Sequence, residues 1–171
     1  MYFFTSDQHL GHAKIIQYCH RPFNNVEEMN STIIERFNSV VGTNDTIVHA
    51  GDFCWAKRYK EAQDKYVSKL NGNHIFIKGS HDHWLPDSAQ YMWRKEIDGV
   101  LVVVCHYSMR TWERSYYNSW HLYGHSHGRL EPFGKSMDIG VDPNNFYPLS
   151  FERIREYTRD RPDNFNFVGN K

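Results

Sequence analysis

The chain is short of cysteine, has no excess of either charge and contains no long apolar run. Its three cysteines, Cys19, Cys54 and Cys105, are odd in number and lack paired spacing, which argues against a disulfide framework and for a reducing compartment. Lys plus Arg equals Asp plus Glu at 20 each. No global field therefore draws the protein to nucleic acid or to a membrane surface, and any polyanion must meet a local basic patch. No segment approaches the roughly 20 apolar residues of a membrane span, and Met1 leads into a strand-like stretch rather than a signal-peptide core. A cytoplasmic protein is expected. The 171 residues are enough for one ordinary domain, 1–171, with a core that needs no disulfide or metal to fold.

Aromatic residues are plentiful, at 16%, while mean hydropathy is −0.71. Much of the apolar mass must come from Tyr, Trp and Phe, some in the core and some available to line a ligand groove. Tyr2–Ser6 reads as a first strand. Apolar residues at Met29, Ile33, Ile34, Phe37, Val40 and Val41 follow a helical period over 25–41, with Asn24 or Asn25 as cap and Gly42 as stop. Thr46–Ala50 reads as a buried strand, 58–70 as a second helix closed by Asn71-Gly72, and His74–Lys78 as the next strand. A short helical stretch is expected over 89–95, then strands at 100–105, 120–123 and 136–141, a helix at 150–158 and an irregular tail after Arg161.

Strands separated by helices, followed by closely spaced strands, predict an α/β layered fold with a mixed sheet or two packed sheets. In such folds ligands collect at the carboxyl ends of strands. Five short motifs fall at those ends: Asp7-Gln8-His9, Gly51-Asp52, Gly79-Ser80-His81-Asp82, Cys105-His106 and Gly124-His125-Ser126-His127. A lone strand-end histidine is more often structural than a ligand, but joint occurrence changes the reading. Asp7, Asp52, His106, His125 and His127 held together would be costly without a cation to neutralise and order them. Oxygen and imidazole donors without thiolate suit Mn, Zn, Fe or Co. The number of donors exceeds one tetrahedral site and favours two divalent ions about 3.5–4 Å apart, an arrangement suited to in-line attack on phosphorus.

These ordered motifs resemble the signature of the calcineurin-like metallophosphoesterases, over nearly the whole chain. The resemblance implies two mixed β-sheets packed face to face and flanked by helices. It implies Asp7, His9, Asp52 and His127 on one metal and Asp52, His106 and His125 on the other, with Asp52 bridging. The family's amide ligand is replaced by Ser80, whose shorter neutral hydroxyl is a poorer ligand. Two origins stay open, a naturally altered second site or an engineered replacement of an asparagine, with a slight lean towards the latter. A hydroxide on the metals would attack phosphorus, His81 would protonate the leaving oxygen, and Asp82 would orient His81 or raise its pKa.

The loop 106–120 carries Arg110, Trp112, Arg114, Tyr116 and Tyr117. Arg110 and Trp112 are the expected substrate contacts, through an arginine grip on phosphate and ring stacking on a base, so the expected partner is a nucleotide or single-stranded nucleic acid ester; the alternative is a loop packed by its own aromatics. His12, His20 and His83 are expected at the surface, and His49, His74 and His121 in structural roles. The leading function is a phosphodiesterase. A phosphomonoesterase or nucleotide pyrophosphatase is the near rival, with a catalytically silent metal-binding scaffold and a mononuclear iron oxygenase as readings of other classes.

Overall fold

A computed structural model describes residues 1–164. Its eight strands are β1 (Tyr2–Thr5), β2 (Thr46–His49), β3 (Asn73–Phe76), β4 (Met92–Ile97), β5 (Val100–Cys105), β6 (Trp120–Tyr123), β7 (Ser136–Asp138) and β8 (Leu149–Ser150). The α-helices are α1 (Lys14–Tyr18), α2 (Val26–Val40), α3 (Tyr59–Lys65) and α4 (Phe151–Thr158). The strands form two four-stranded mixed sheets, ordered β3-β2-β1-β8 and β4-β5-β6-β7. β1, β2 and β3 run parallel with β8 antiparallel, while β5, β6 and β7 run parallel with β4 antiparallel.

Period-2 alternation decides which residues face which layer. Phe4 and Val48 of the first sheet point inward and meet Val102, Val104 and Leu122 of the second in one buried cluster. Their neighbours Phe3 and Ile47 point outward and pack on Phe37 and Val41 at the end of α2. Each such fully buried side chain contributes roughly 1.5–3 kcal/mol. The start of α2 is set by Asn25, whose side chain accepts from Glu28 N at 2.8 Å, and that of α4 by Ser150, which accepts from Arg153 N at 3.2 Å.

One expected element has the other secondary structure. The stretch expected to be helical at 89–95 contains the start of β4, which pairs antiparallel with β5 from Met92↔Cys105 to Ile97↔Val100. Asp98-Gly99 joins them, with φ of 46° and 78°, a two-residue turn whose left-handed residues match the twist of paired strands. That local turn outweighs the weak helical tendency of the preceding residues. The second helix is also shorter than expected, ending at Lys65 and continuing only as a 3-10 turn, Val67–Lys69. The expected irregular tail lies outside the described residues from 165 onward. Among the described residues no helix is long and apolar enough to cross a membrane.

Candidate metal centre

The motifs meet where β1, β2, β3, β5 and β6 end. Ser6, just past β1, bridges to Gly140 beyond β7 and so brings the two sheets together at this end. Two glycines permit the approach. A Cβ on Gly79 would collide with the Asp52 carboxylate and its backbone N, and one on Gly124 would collide with Ser6 and Asp7. Asp7, His9, Asp52, His125 and His127 themselves adopt left-handed backbone, with φ of 57°, 51°, 55°, 67° and 49°. Left-handed backbone at non-glycine residues costs on the order of 1–2 kcal/mol each and persists only where the surroundings enforce it.

Two groups of donor atoms result, Asp7 with His9 and His127, and Asp52 with His106 and His125, each with its atoms within 4.8 Å of one another. Asp52 Oδ2 lies between them, 3.7 Å from His9 Nε2 and 3.4 Å from His106 Nε2. Both of those nitrogens are buried without a hydrogen-bond partner. His106 Nδ1 sits 2.9 Å from the Ala50 carbonyl, which can only accept, so the ring proton belongs on Nδ1 and the Nε2 lone pair faces a carboxylate. Such a lone pair against an anion is repulsive unless a proton or a metal cation stands between them. The residues present thus fit metal ions on the strength of their own geometry.

The electrostatics agree. Burial pushes the Asp7 carboxyl up to about 7 and the His9 imidazole down to about 3. Burial also works against charge on His106, but the adjoining Asp52 carboxylate outweighs it and raises His106 to about 8. Burial opposes charge on Asp52 too, yet His106 and the His81 backbone N–H together hold its carboxyl well below the ordinary range. The site is therefore built to place positive charge beside Asp52.

Several supports were not evident from the motifs. His127 Nδ1 lies 2.7 Å from Asp142 Oδ2, which directs the other ring nitrogen to the first group. Asp142 is held by Arg21, whose side chain is fully buried and also donates to the Asp7 and Gln8 carbonyls at 2.7 and 2.9 Å. Cys19 lies within 4.8 Å of His127 and Asp142, and burial raises its thiol pKa. Nothing in the local sequence around Arg21 or Asp142 marks a partnership across 121 positions. Gln8, inside the first motif, reaches the buried His49 at 2.8 Å, and His49 reaches His74 at 3.0 Å, which gives both strand histidines polar structural roles.

The third motif, Gly79-Ser80-His81-Asp82, divides its labour differently from expectation. Ser80 Oγ donates to Asp52 Oδ2 at 3.0 Å and the His81 backbone N–H to Oδ1 at 2.8 Å, so both steady the central carboxylate. The His81 ring stands 5.5 Å from that of His9 and 5.8 Å from that of Trp55. Asp82 does not orient His81. Its buried carboxylate accepts from the backbone of Asp52, Phe53 and Gly79 at 2.6, 2.9 and 2.9 Å, and from Trp84 Nε1 at 2.9 Å. With four donors converging on it, Asp82 locks two motif loops together.

One of the two expected substrate contacts, Trp112, is corrected as well. Trp112 is buried among Leu101, Val103 and Met109 on the outward face of the second sheet, and its Nε1 donates to Ser119 Oγ at 2.9 Å. Arg110 belongs to the same outward loop, its carbonyl accepting from Asn164 Nδ2 at 2.7 Å. The loop turns away because Leu101 and Val103, alternating with the inward Val102 and Val104, leave an apolar outer face to cover. His12, expected at an ordinary surface position, stacks instead on Trp55 beside the centre, 4.4 Å between rings and 19° between planes.

These features define an α/β protein of two packed mixed sheets with residues at their shared edge able to hold metal ions. No established family model matches the sequence. The chain is 31% identical over 159 residues to the uncharacterized protein MJ1445 of Methanocaldococcus jannaschii, covering 89% of this chain and 88% of that protein, and it belongs to the same family. The crystal structure of a protein of unknown function, AQ665 from Aquifex aeolicus, shares the fold with a TM-score of 0.68 at 22% identity, over 92% of this chain and 98% of the other. A conserved uncharacterized protein from Streptococcus pneumoniae, a predicted phosphoesterase, is more distant, with a TM-score of 0.45 at 15% identity over 81% and 70% of the two chains.

Proposed function

We propose that the chain is a metal-dependent phosphoesterase that holds two divalent ions, Mn, Zn or Fe, and hydrolyses a phosphodiester. The observation that carries this reading is the place of Asp52 Oδ2 between the unpartnered Nε2 atoms of His9 and His106, a bridging position between two donor groups. When bound, such ions polarise phosphoryl oxygens and lower the pKa of a coordinated water to about 7. The ordered motifs, which resemble those of calcineurin-like metallophosphoesterases, support the same chemistry.

The protein's own residues supply the rest. Asp142 and the Ala50 carbonyl fix the ring orientations of His127 and His106. Asp82 ties the loop of Asp52 to that of His81. His81, partly exposed at the rim, delivers a proton to the leaving oxygen. Open clefts adjoin His81 at this rim and leave room for a second substituent on phosphorus, which favours a diester over a monoester.

Hydrolysis of bis-p-nitrophenyl phosphate and p-nitrophenyl phosphate with added Mn tests the proposal. Faster turnover of the diester, abolished in Asp52→Asn, is expected, and His81→Ala should lower turnover far more than metal content. Metal bound at stoichiometry without turnover of either ester, even in Ser80→Asn, would favour the silent scaffold.

A further inference from the structure

Each of two ligand loops carries one residue that no metal group uses. His12 stands three positions after His9, and Trp55 three after Asp52. The loops are zipped together by His9 N to Asp52 O at 3.0 Å, Leu10 N to Phe53 O at 3.0 Å and Trp55 N to Leu10 O at 2.8 Å. The ring stack of His12 on Trp55 is thereby rigidly coupled to the centre. Trp55 is nevertheless 53% exposed, a large apolar surface left open on a hydrogen-bonded support.

Trp55 and His81 line two adjoining clefts. The larger, about 480 Å³, also has His12, Lys14 and Tyr18 on its walls; the smaller, about 270 Å³, includes Lys57 and His83. The larger has the size of a small-molecule site and combines rings with a cation. A still larger hollow of about 620 Å³ lies at the opposite end of the second sheet, by Val100 and Trp120. Two of its cations are already committed, Arg155 to Asp98 at 3.2 Å and Lys135 to Asn118 at 2.8 Å.

We propose that the Trp55–His12 stack is the platform for the base of a nucleotide ester, seated in this cleft with its sugar oxygen towards His81 and a further phosphate towards Lys14. The proposal rests on the phosphoesterase reading and names its substrate class. Trp55 thus takes the stacking role that the buried Trp112 cannot perform. The step is hydrolysis: water adds to phosphorus, the bond from phosphorus to the sugar oxygen breaks, and that oxygen leaves with a proton, giving a phosphate monoester and an alcohol.

The experiment compares a thymidine dinucleotide with its analogue carrying abasic tetrahydrofuran residues, both with Mn. Stacking of one base corresponds to about 5- to 150-fold in kcat/KM. A preference of that order for the dinucleotide is expected in the wild type. It should fall towards one in Trp55→Ala and survive in Trp55→Phe. In parallel, thymidine 5′-phosphate should quench tryptophan fluorescence in the wild type but not in Trp55→Phe, whereas ribose 5-phosphate should quench neither. Equal hydrolysis of both esters without selective quenching would overturn the platform while leaving the phosphoesterase standing. Selective quenching without hydrolysis of either ester would support the base platform and overturn the phosphoesterase reading. Loss of both esters in equal proportion in Trp55→Ala would mark Trp55 as structural and overturn the platform.

Discussion

Arg21 and Asp142 face each other as a fork, with Arg21 Nε and one terminal nitrogen each 2.8 Å from separate carboxylate oxygens of Asp142. The pairing is buried on the arginine side, and its carboxylate also accepts from His127. A charged triad thus sets the orientation of one metal-binding imidazole. In Asp142→Asn the ring loses its anionic partner, and metal affinity at the group of Asp7, His9 and His127 should fall by about 10- to 100-fold. Titration with Mn monitored by calorimetry would show this as one weakened class of site, and equal affinity in the two proteins would refute it.

Ser80→Asn should strengthen the other group. The present hydroxyl donates to Asp52, whereas an amide carbonyl in its place adds an oxygen donor without a proton. Higher occupancy by the second ion, counted by metal analysis after dialysis against limiting Mn, is the expected result, together with higher turnover.

Asp82→Asn separates a structural role from a catalytic one. An amide placed where four donors converge presents N–H groups to N–H groups, a loss of about 2–4 kcal/mol. Thermal unfolding of the metal-free protein should shift down by several degrees. An unchanged melting temperature with reduced turnover would restore Asp82 to a role on His81.

Acid should weaken the fold through His121. Its Nδ1 lies 3.2 Å from the Val103 carbonyl and its Nε2 accepts from Met109 N at 3.0 Å, so only the neutral ring satisfies both. Burial lowers its pKa from 6.5 to about 4. Between those values the unfolded chain binds the proton and the folded chain does not. Stability contributed by the neutral ring is therefore complete above 6.5 and declines as pH falls, by about 1.4 kcal/mol per pH unit. His49, also held well below its ordinary value by burial, acts with the same sign. Urea unfolding at a series of pH values should show a shallower acid slope in His121→Gln than in the wild type.

Most of the frame was legible because periodicity and apolar runs report burial directly. The helix capped at Asn25 and the runs around Val48 and Val102 are examples. The motif residues were legible because strand-end chemistry is local in sequence. What was not legible depended on long-range pairing. Arg21 with Asp142 has no sequence-local signal, and the outward turn of Trp112 follows from which face of β5 lacked cover. The hairpin at Asp98-Gly99 did have a signal, the turn dipeptide itself, which favours strand over helix for Trp93–Ile97. His12 and Trp55 could have been found by noting that each follows a ligand by three residues.

The left-handed backbone at Asp7, His9, Asp52, His125 and His127 sets function against stability at five positions. His125, exposed and carrying a φ of 67°, gives the cleanest measure. His125→Gly should raise the unfolding free energy of the metal-free protein by about 1 kcal/mol while weakening ion binding to the group of Asp52 and His106. A descendant of this chain released from selection for metal chemistry would then drift downhill towards glycine and asparagine at these strand ends, becoming sturdier as it became inert.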